Sequence, residues 1–173
     1  MSGITSSVPG RIVVGVADLR VAPGPPGELV THALGSCIGL TVWDPETRVG
    51  GMLHYVLARP RERERAVRKP AMYAVAGVPA LFDAVSELGA KTGRLVVCAA
   101  GGSEILCDQG GFSIGQRNRT MLRKLFWKNG IALHAEDCGG SVSRHMALDL
   151  ETGRVTVHIK NEESVLWQRS TSS

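Results

Sequence analysis

A chain of 173 residues, 43% hydrophobic and 21% charged, has the size of one domain and the composition of an ordinary globular protein, which excludes an intrinsically disordered chain. No apolar stretch reaches the roughly 20 residues that a spanning helix needs, and the start, MSGITSSVPG, lacks the basic and apolar regions of a secretion signal, so no membrane insertion and a cytoplasmic location are expected. The net charge of +4 is carried by one segment, Arg59 to Pro70, with six basic residues against Glu62 and Glu64, and the other 14 basic residues are balanced by 14 acidic ones. With no interleaved aromatics, that segment predicts a solvated connection and no nucleic-acid partner.

In chain order, residues 1–10 are expected to be disordered, and RIVVGVA, Arg11 to Ala17, has the length and composition of a strand. The APGPPGE stretch that follows forbids helix through its prolines and glycines. Cys37 to Asp44 and Arg48 to Leu57 predict two strands joined as a hairpin through Asp44-Pro45-Glu46-Thr47, where proline fixes φ for the turn. Ala71 to Ala90 predicts an amphipathic helix with Pro79 as a kink or late first turn and Gly89 as its stop, and Arg94 to Gly102 a buried strand ending in paired glycines. Gly115 to Gly130 predicts a second helix with Met121, Leu122, Leu125 and Phe126 on one stripe. IALHAED, SRHMALDL and RVTVHIK predict three short strands, completing a single domain over residues 11–162 and leaving residues 163–173 as a tail.

These elements make an α+β domain of about seven strands and two main helices, built from antiparallel hairpins rather than regular βαβ units. GGSEILCDQGG, residues 101–111, matches neither glycine-rich phosphate-binding pattern, so it predicts no nucleotide site.

Cys37, Cys98, Cys107 and Cys138 form no C-x-x-C pair, and His32, His54, His134, His145 and His158 are scattered. Neither a metal site nor a dithiol motif is expected. Cys37 is distinguished by its position, directly behind Gly35-Ser36 where a turn enters an apolar run. A thiol becomes a nucleophile when a base takes its proton, and the hairpin brings His54 opposite a residue near Ile38. Thr31, six positions ahead, offers a hydroxyl to orient the ring, and Gly35 and Ser36 allow backbone amides to face a reacting carbonyl. These parts suit acyl transfer at a carboxamide. His32, beside Thr31, is a rival base that spacing leaves open.

THALGSCIGLTVWDP followed by VGGMLH resembles the CheD family of chemoreceptor glutamine deamidases, with its T-x-x-x-G-S-C and G-x-M-x-H elements. The similarity continues through AGG at Ala100 to Gly102, FSIGQRN at Phe112 to Asn118, NGI at Asn129 to Ile131, AEDCGG at Ala135 to Gly140 and LETGRV at Leu150 to Val155. The resemblance implies Cys37 as nucleophile, His54 as base in preference to His32, and Thr31 as third member. It implies hydrolysis of receptor glutamines to glutamate through a thioester without a cofactor. The partners it implies are chemoreceptor cytoplasmic helices and a CheC-type phosphatase. The fold it implies is a β-sandwich-like core of mixed and antiparallel sheet with helices packed outside, similar to toxin-type cysteine deamidases. A non-catalytic adaptor that binds receptor or phosphatase is the alternative. The chain departs from the family pattern at Val75, where an acidic residue is common, and at Ser103, where alanine usually follows the glycine pair.

Overall fold

The computed structural model describes residues 10–104 and 113–171. The disorder expected for residues 1–9, Cys107 and most of the glycine-rich 101–111 stretch lie outside the described residues.

Two five-stranded sheets stack face to face. The first runs in the order β1 (Arg11–Val14), β3 (Glu28–Leu34), β8 (Arg144–Asp149), β9 (Val155–Ile159), β10 (Glu162–Trp167). The second runs β2 (Asp18–Ala22), β5 (Gly50–Tyr55), β4 (Ile38–Trp43), β6 (Val96–Gly101), β7 (Ala135–Cys138). Both sheets are mixed, because β1 pairs parallel with β3 and β6 with β7 while their other ladders are antiparallel. The α+β, sandwich-like expectation holds, with one refinement: both main helices cover the same sheet.

Alternation along β4 explains the layering. Ile38, Leu40 and Val42 point to the helix side, where they join Leu81, Val85, Leu122 and Phe126; Trp43 points to the other sheet, among Leu29, Met146 and Leu148. Buried on both faces, β4 and β5 contain no exposed residue. Helix α2 (Ala74–Glu87) buries Ala74, Gly77, Val78, Leu81, Phe82 and Val85, one stripe at helical spacing, and runs through Pro79 without ending there. Helix α3 (Ile114–Asn129) starts where the Ser113 hydroxyl accepts the Gln116 amide and stops where Gly130 takes a left-handed φ of 64°.

Three expectations change. Strands β2 and β3 flank the proline-rich turn where only a connection is expected. The basic segment includes a short helix, α1 (Arg63–Arg68), none of whose residues is buried. The tail expected from 163 onward is strand β10 as far as Trp167, because Leu166 and Trp167 pack against the inter-sheet core and the Trp43 and Trp167 rings lie 6.4 Å apart. Its first four residues are exposed, which hid the strand among polar side chains. Among the described helices, none is long and apolar enough to cross a membrane.

Candidate active site

The hairpin register places Gly39 opposite His54 and Ile38 opposite Tyr55, one residue from the position the sequence suggests. His54, Gly39 and Thr41 therefore share the face turned toward the other sheet, and Cys37 packs against that same inter-sheet core. Glycine at 39 leaves this layer free for Leu34 and Met146, whose side chains would lie 2.9 and 3.1 Å from an added Cβ.

Thr31 enters from the facing sheet. Its hydroxyl donates to the Val14 carbonyl at 2.7 Å and lies 2.7 Å from His54 Nδ1. The hydroxyl has one proton, already directed at Val14, so the imidazole must supply the other: Nδ1–H donates to Thr31 Oγ1. In the neutral ring Nε2 is then the bare acceptor. Thr31 and His54 are both 0% exposed, and Nε2 is buried with no hydrogen-bond partner among the described residues.

Cys37 is half-buried at the entrance to β4. Burial pushes its thiol up, opposed by its own backbone amide, and burial lowers the His54 imidazole to about 4. At neutral pH both groups are uncharged, and no hydrogen bond joins them. The structure thus brings Thr31 and His54 into contact and sets Cys37 on their face of the core without a preformed ion pair. His32 lies on the opposite, exposed face of β3, with Nδ1 3.2 Å from that of His145; it does not share the buried contact of Thr31 and His54.

The loop carrying Cys37 is held from three directions. The Gly102 amide donates to the Cys37 carbonyl at 2.8 Å, and the Ser103 amide to the Gly35 carbonyl at 2.8 Å. Gly101 (φ 110°) must be glycine, since a Cβ there would overlap the Cys37 carbonyl oxygen. From α3, the buried Asn118 donates through Nδ2 to the carbonyls of Ser36 at 2.9 Å and Val56 at 2.8 Å, tying the Cys37 loop to the residue that follows the strand carrying His54. The Gly35 amide closes a turn onto Ala33 O at 3.0 Å, and the Ser36 and Cys37 amides donate to no backbone carbonyl among the described residues.

Asn118, Gly101 and Gly102 stand in motifs that the sequence displays without assigning them a task. The signal for them is the order of motifs along the chain, since neither periodicity nor spacing points to a contact 82 residues apart such as Asn118 to Ser36. The two departures also find places. The Ser103 hydroxyl donates to the Val142 carbonyl at 2.6 Å and accepts from the buried Arg144 at 2.8 Å. Val75 packs at the edge of the helix-side core. Among the described residues, no group of three or more metal-ligating side chains occurs.

The model of the CheD family, described as CheD chemotactic sensory transduction, matches residues 56–159. The chain is 42% identical over 86% of its length to "Probable chemoreceptor glutamine deamidase CheD 1" of Syntrophus aciditrophicus, covering 93% of that protein. It is 43% identical over 90% of its length to "Probable chemoreceptor glutamine deamidase CheD" of Solibacter usitatus, covering 93%. It is also 45% identical over 84% of its length to "Probable chemoreceptor glutamine deamidase CheD 2" of Anaeromyxobacter dehalogenans, covering 92%. The family match begins just after His54 and does not include Thr31, Cys37 or His54. Matched by the family model over more than half its length, and by these relatives across most of theirs, the chain belongs to the CheD family.

Proposed function

We propose that the protein is a cytoplasmic cysteine-dependent glutamine deamidase that hydrolyses side-chain amides of chemoreceptor cytoplasmic helices to carboxylates, without a cofactor. The names of its relatives support the reaction class and substrate. The observation that carries the reading is the orphaned Nε2 of His54, a buried base held by Thr31 in the tautomer that accepts a proton, on the face of the core that Cys37 also joins.

When the glutamine amide reaches Cys37, His54 Nε2 takes the thiol proton as sulfur attacks the carbonyl carbon, forming the C–S bond. Thr31 holds the resulting imidazolium through Nδ1–H, and the Ser36 and Cys37 amides are the donors available to the tetrahedral oxyanion. The proton on Nε2 passes to the leaving nitrogen, ammonia departs and a thioester remains. Water, deprotonated by the now neutral His54, attacks the thioester; the C–S bond breaks, glutamate forms and the thiol is regenerated. Gly35 and Ser36 shape this loop, Gly35 by closing its turn onto Ala33. General-base assistance contributes about 10² to 10⁴ in rate.

Intact-mass spectrometry of a receptor cytoplasmic fragment tests the reading. Each converted glutamine adds about 1 Da by exchange of NH₂ for OH, and Cys37→Ser, with folding preserved, is expected to abolish the gain. An unchanged mass with wild-type protein, alongside recovery of a receptor or CheC-type phosphatase in a pull-down, would favour the adaptor reading instead.

A further inference from the structure

The face beside the catalytic loop carries charge and apolar surface that the chemistry above does not use. Ala58, Arg59, Gln116, Arg117, Thr120, Met121 and Lys124 line a groove of about 450 Å³ between α3 and the connection leaving β5. Met121 and Ala58 supply apolar surface to it, while Arg59, Arg117 and Lys124 are exposed at its edges.

Two other arginines of α3 have partners: Arg119 meets Glu104 at 2.9 Å and Arg123 meets Glu136 at 2.9 Å. Arg59, Arg117 and Lys124 form no ion pair among the described residues, nor do the arginines of α1 that follow Arg59. Arg117, Thr120, Lys124 and Trp127 recur at three- and four-residue spacing, so they form one stripe along the outer face of the helix. Trp127 ends it at 86% exposure. An exposed tryptophan next to unpaired cations is the composition of a protein-binding surface, because a large rigid side chain becomes an anchor once a partner covers it.

The groove is tied to the Cys37 loop through residues that neighbour its lining. Asn118, next in sequence to Arg117, holds the Ser36 carbonyl, and Ala58 lies two residues past Val56, whose carbonyl the same amide holds. From Arg117 to Trp127 the stripe rises about 15 Å, roughly three helical turns.

We propose that this groove docks an acidic, amphipathic helix of the substrate itself, on the segment that flanks the target glutamine. The proposal rests on the deamidase reading. Carboxylates of the flank meet Arg59, Arg117 and Lys124, and an apolar side chain two to three turns from the glutamine covers Trp127. Single-stranded nucleic acid fits less well, since stacking needs a series of aromatics and this stripe has one.

The test uses the full chain carrying Cys37→Ala, so that binding is read without turnover. Its probes are two synthetic helical peptides with one glutamine each, identical except that flanking glutamates in one are alanines in the other. The acidic peptide is expected to bind about tenfold tighter at low salt, to lose that advantage in 0.5 M salt, and to shift the Trp127 emission to the blue. Adding Arg117→Glu and Lys124→Glu is expected to erase the preference and transfer it to a lysine-flanked peptide. Trp127→Ala is expected to weaken binding about fivefold and remove the emission shift.

Equal binding of the two peptides, a preference that survives the double reversal, or tighter binding of a single-stranded oligonucleotide would each overturn the proposal. Should the double variant fail to fold, Arg59→Glu on the exposed connection and the salt dependence of the Cys37→Ala chain decide it. Wild-type protein that leaves receptor fragments unconverted while the peptide preference stands would sink the deamidase reading and keep the groove as an adaptor surface. Conversion without any preference would do the reverse.

Discussion

At the turn end of the β4–β5 hairpin, the buried Asp44 carboxylate accepts from the amides of Lys91 and Glu46, both at 2.9 Å, and from Arg94 at 2.7 Å. At the other end, among the described residues, His54 Nε2 and Asn118 Oδ1 are buried without partners, and Arg144 Nε, on the residue paired with Leu34, is a third such atom. All three surround residues 31–37. Folding normally eliminates buried, unpaired polar atoms because each one is costly. A carboxylate satisfied on every side at the turn end, against polar atoms left open around residues 31–37, sets a structural tie apart from the end where the reaction is proposed.

The largest expected effects divide along that line. Cys37→Ser at the open end is expected to lower deamidation by about 10³-fold or more while leaving the unfolding midpoint within a few degrees. Asp44→Ala at the closed end leaves Arg94 without its buried partner and is expected to lower stability by on the order of 3 kcal/mol. Deamidation per folded molecule is expected to be retained. Urea unfolding followed by circular dichroism, paired with the mass assay, reads both. A Cys37→Ser chain that unfolds as readily as Asp44→Ala would erase the distinction.

Acid separates the two ends by pH. Burial lowers His54 from 6.5 to about 4, so the unfolded chain takes up its proton first as pH falls. The stability that this group supports is complete above about pH 6.5 and is lost as pH falls toward 4, by on the order of 3 kcal/mol. Asp44 behaves differently: burial would raise its carboxyl, but Arg94 and the amides of Lys91 and Glu46 overcome this and hold it well below the ordinary carboxylate range. Its contribution is therefore intact at pH 5 and is lost only below about 4. His54→Gln is expected to flatten the stability profile between pH 6.5 and 4 and leave the more acidic limb in place. An unchanged slope in that window would mean that the imidazole is charged in the folded protein.

The smaller loss comes from Asn118→Ala, which removes two donations at once. About 2 kcal/mol of stability is expected to go, together with roughly tenfold in deamidation rate, because the Ser36 carbonyl is then free to move relative to the strand carrying His54. A variant with the stability loss and an unaltered rate would reduce Asn118 to a structural tie like Asp44.

How much of this was legible depends on the range of the interaction. The hairpin can be read because Pro45 fixes a turn between two alternating runs, and that local signal carries His54 to within one residue of its observed partner, Gly39. Strand β3 cannot be read in the same way: Ala33 takes a positive φ of 56° and the register shifts between Thr31 and Leu34, so no simple alternation marks it. Thr31 is chosen for its hydroxyl, but its contact with His54 crosses between two sheets and exists only after they stack. Asn118 is harder still, a polar residue on the buried face of an amphipathic helix, where its justification is a pair of carbonyls on two distant loops.

The smallest expected effect probes the open end at rest. Burial pushes the Cys37 thiol up, and Cys138 and Cys98 further, to about 11 and about 12. Iodoacetamide is therefore expected to modify Cys37 first among these three, yet a few-fold more slowly than a free thiol at pH 7, with a rate that keeps climbing above pH 8.5. His54→Gln is expected to change that rate by less than about twofold, because a neutral imidazole with no hydrogen bond to sulfur does not stabilise thiolate. A tenfold fall on the same substitution, measured by peptide mass mapping, would mean that the resting enzyme already holds a thiolate–imidazolium pair. Both ends of the hairpin would then be closed by charge pairing, and the orphaned Nε2 would have its partner before any substrate arrives. If the rate instead ignores His54 in the free protein while deamidation requires it, the base acts only once the amide is bound at the loop.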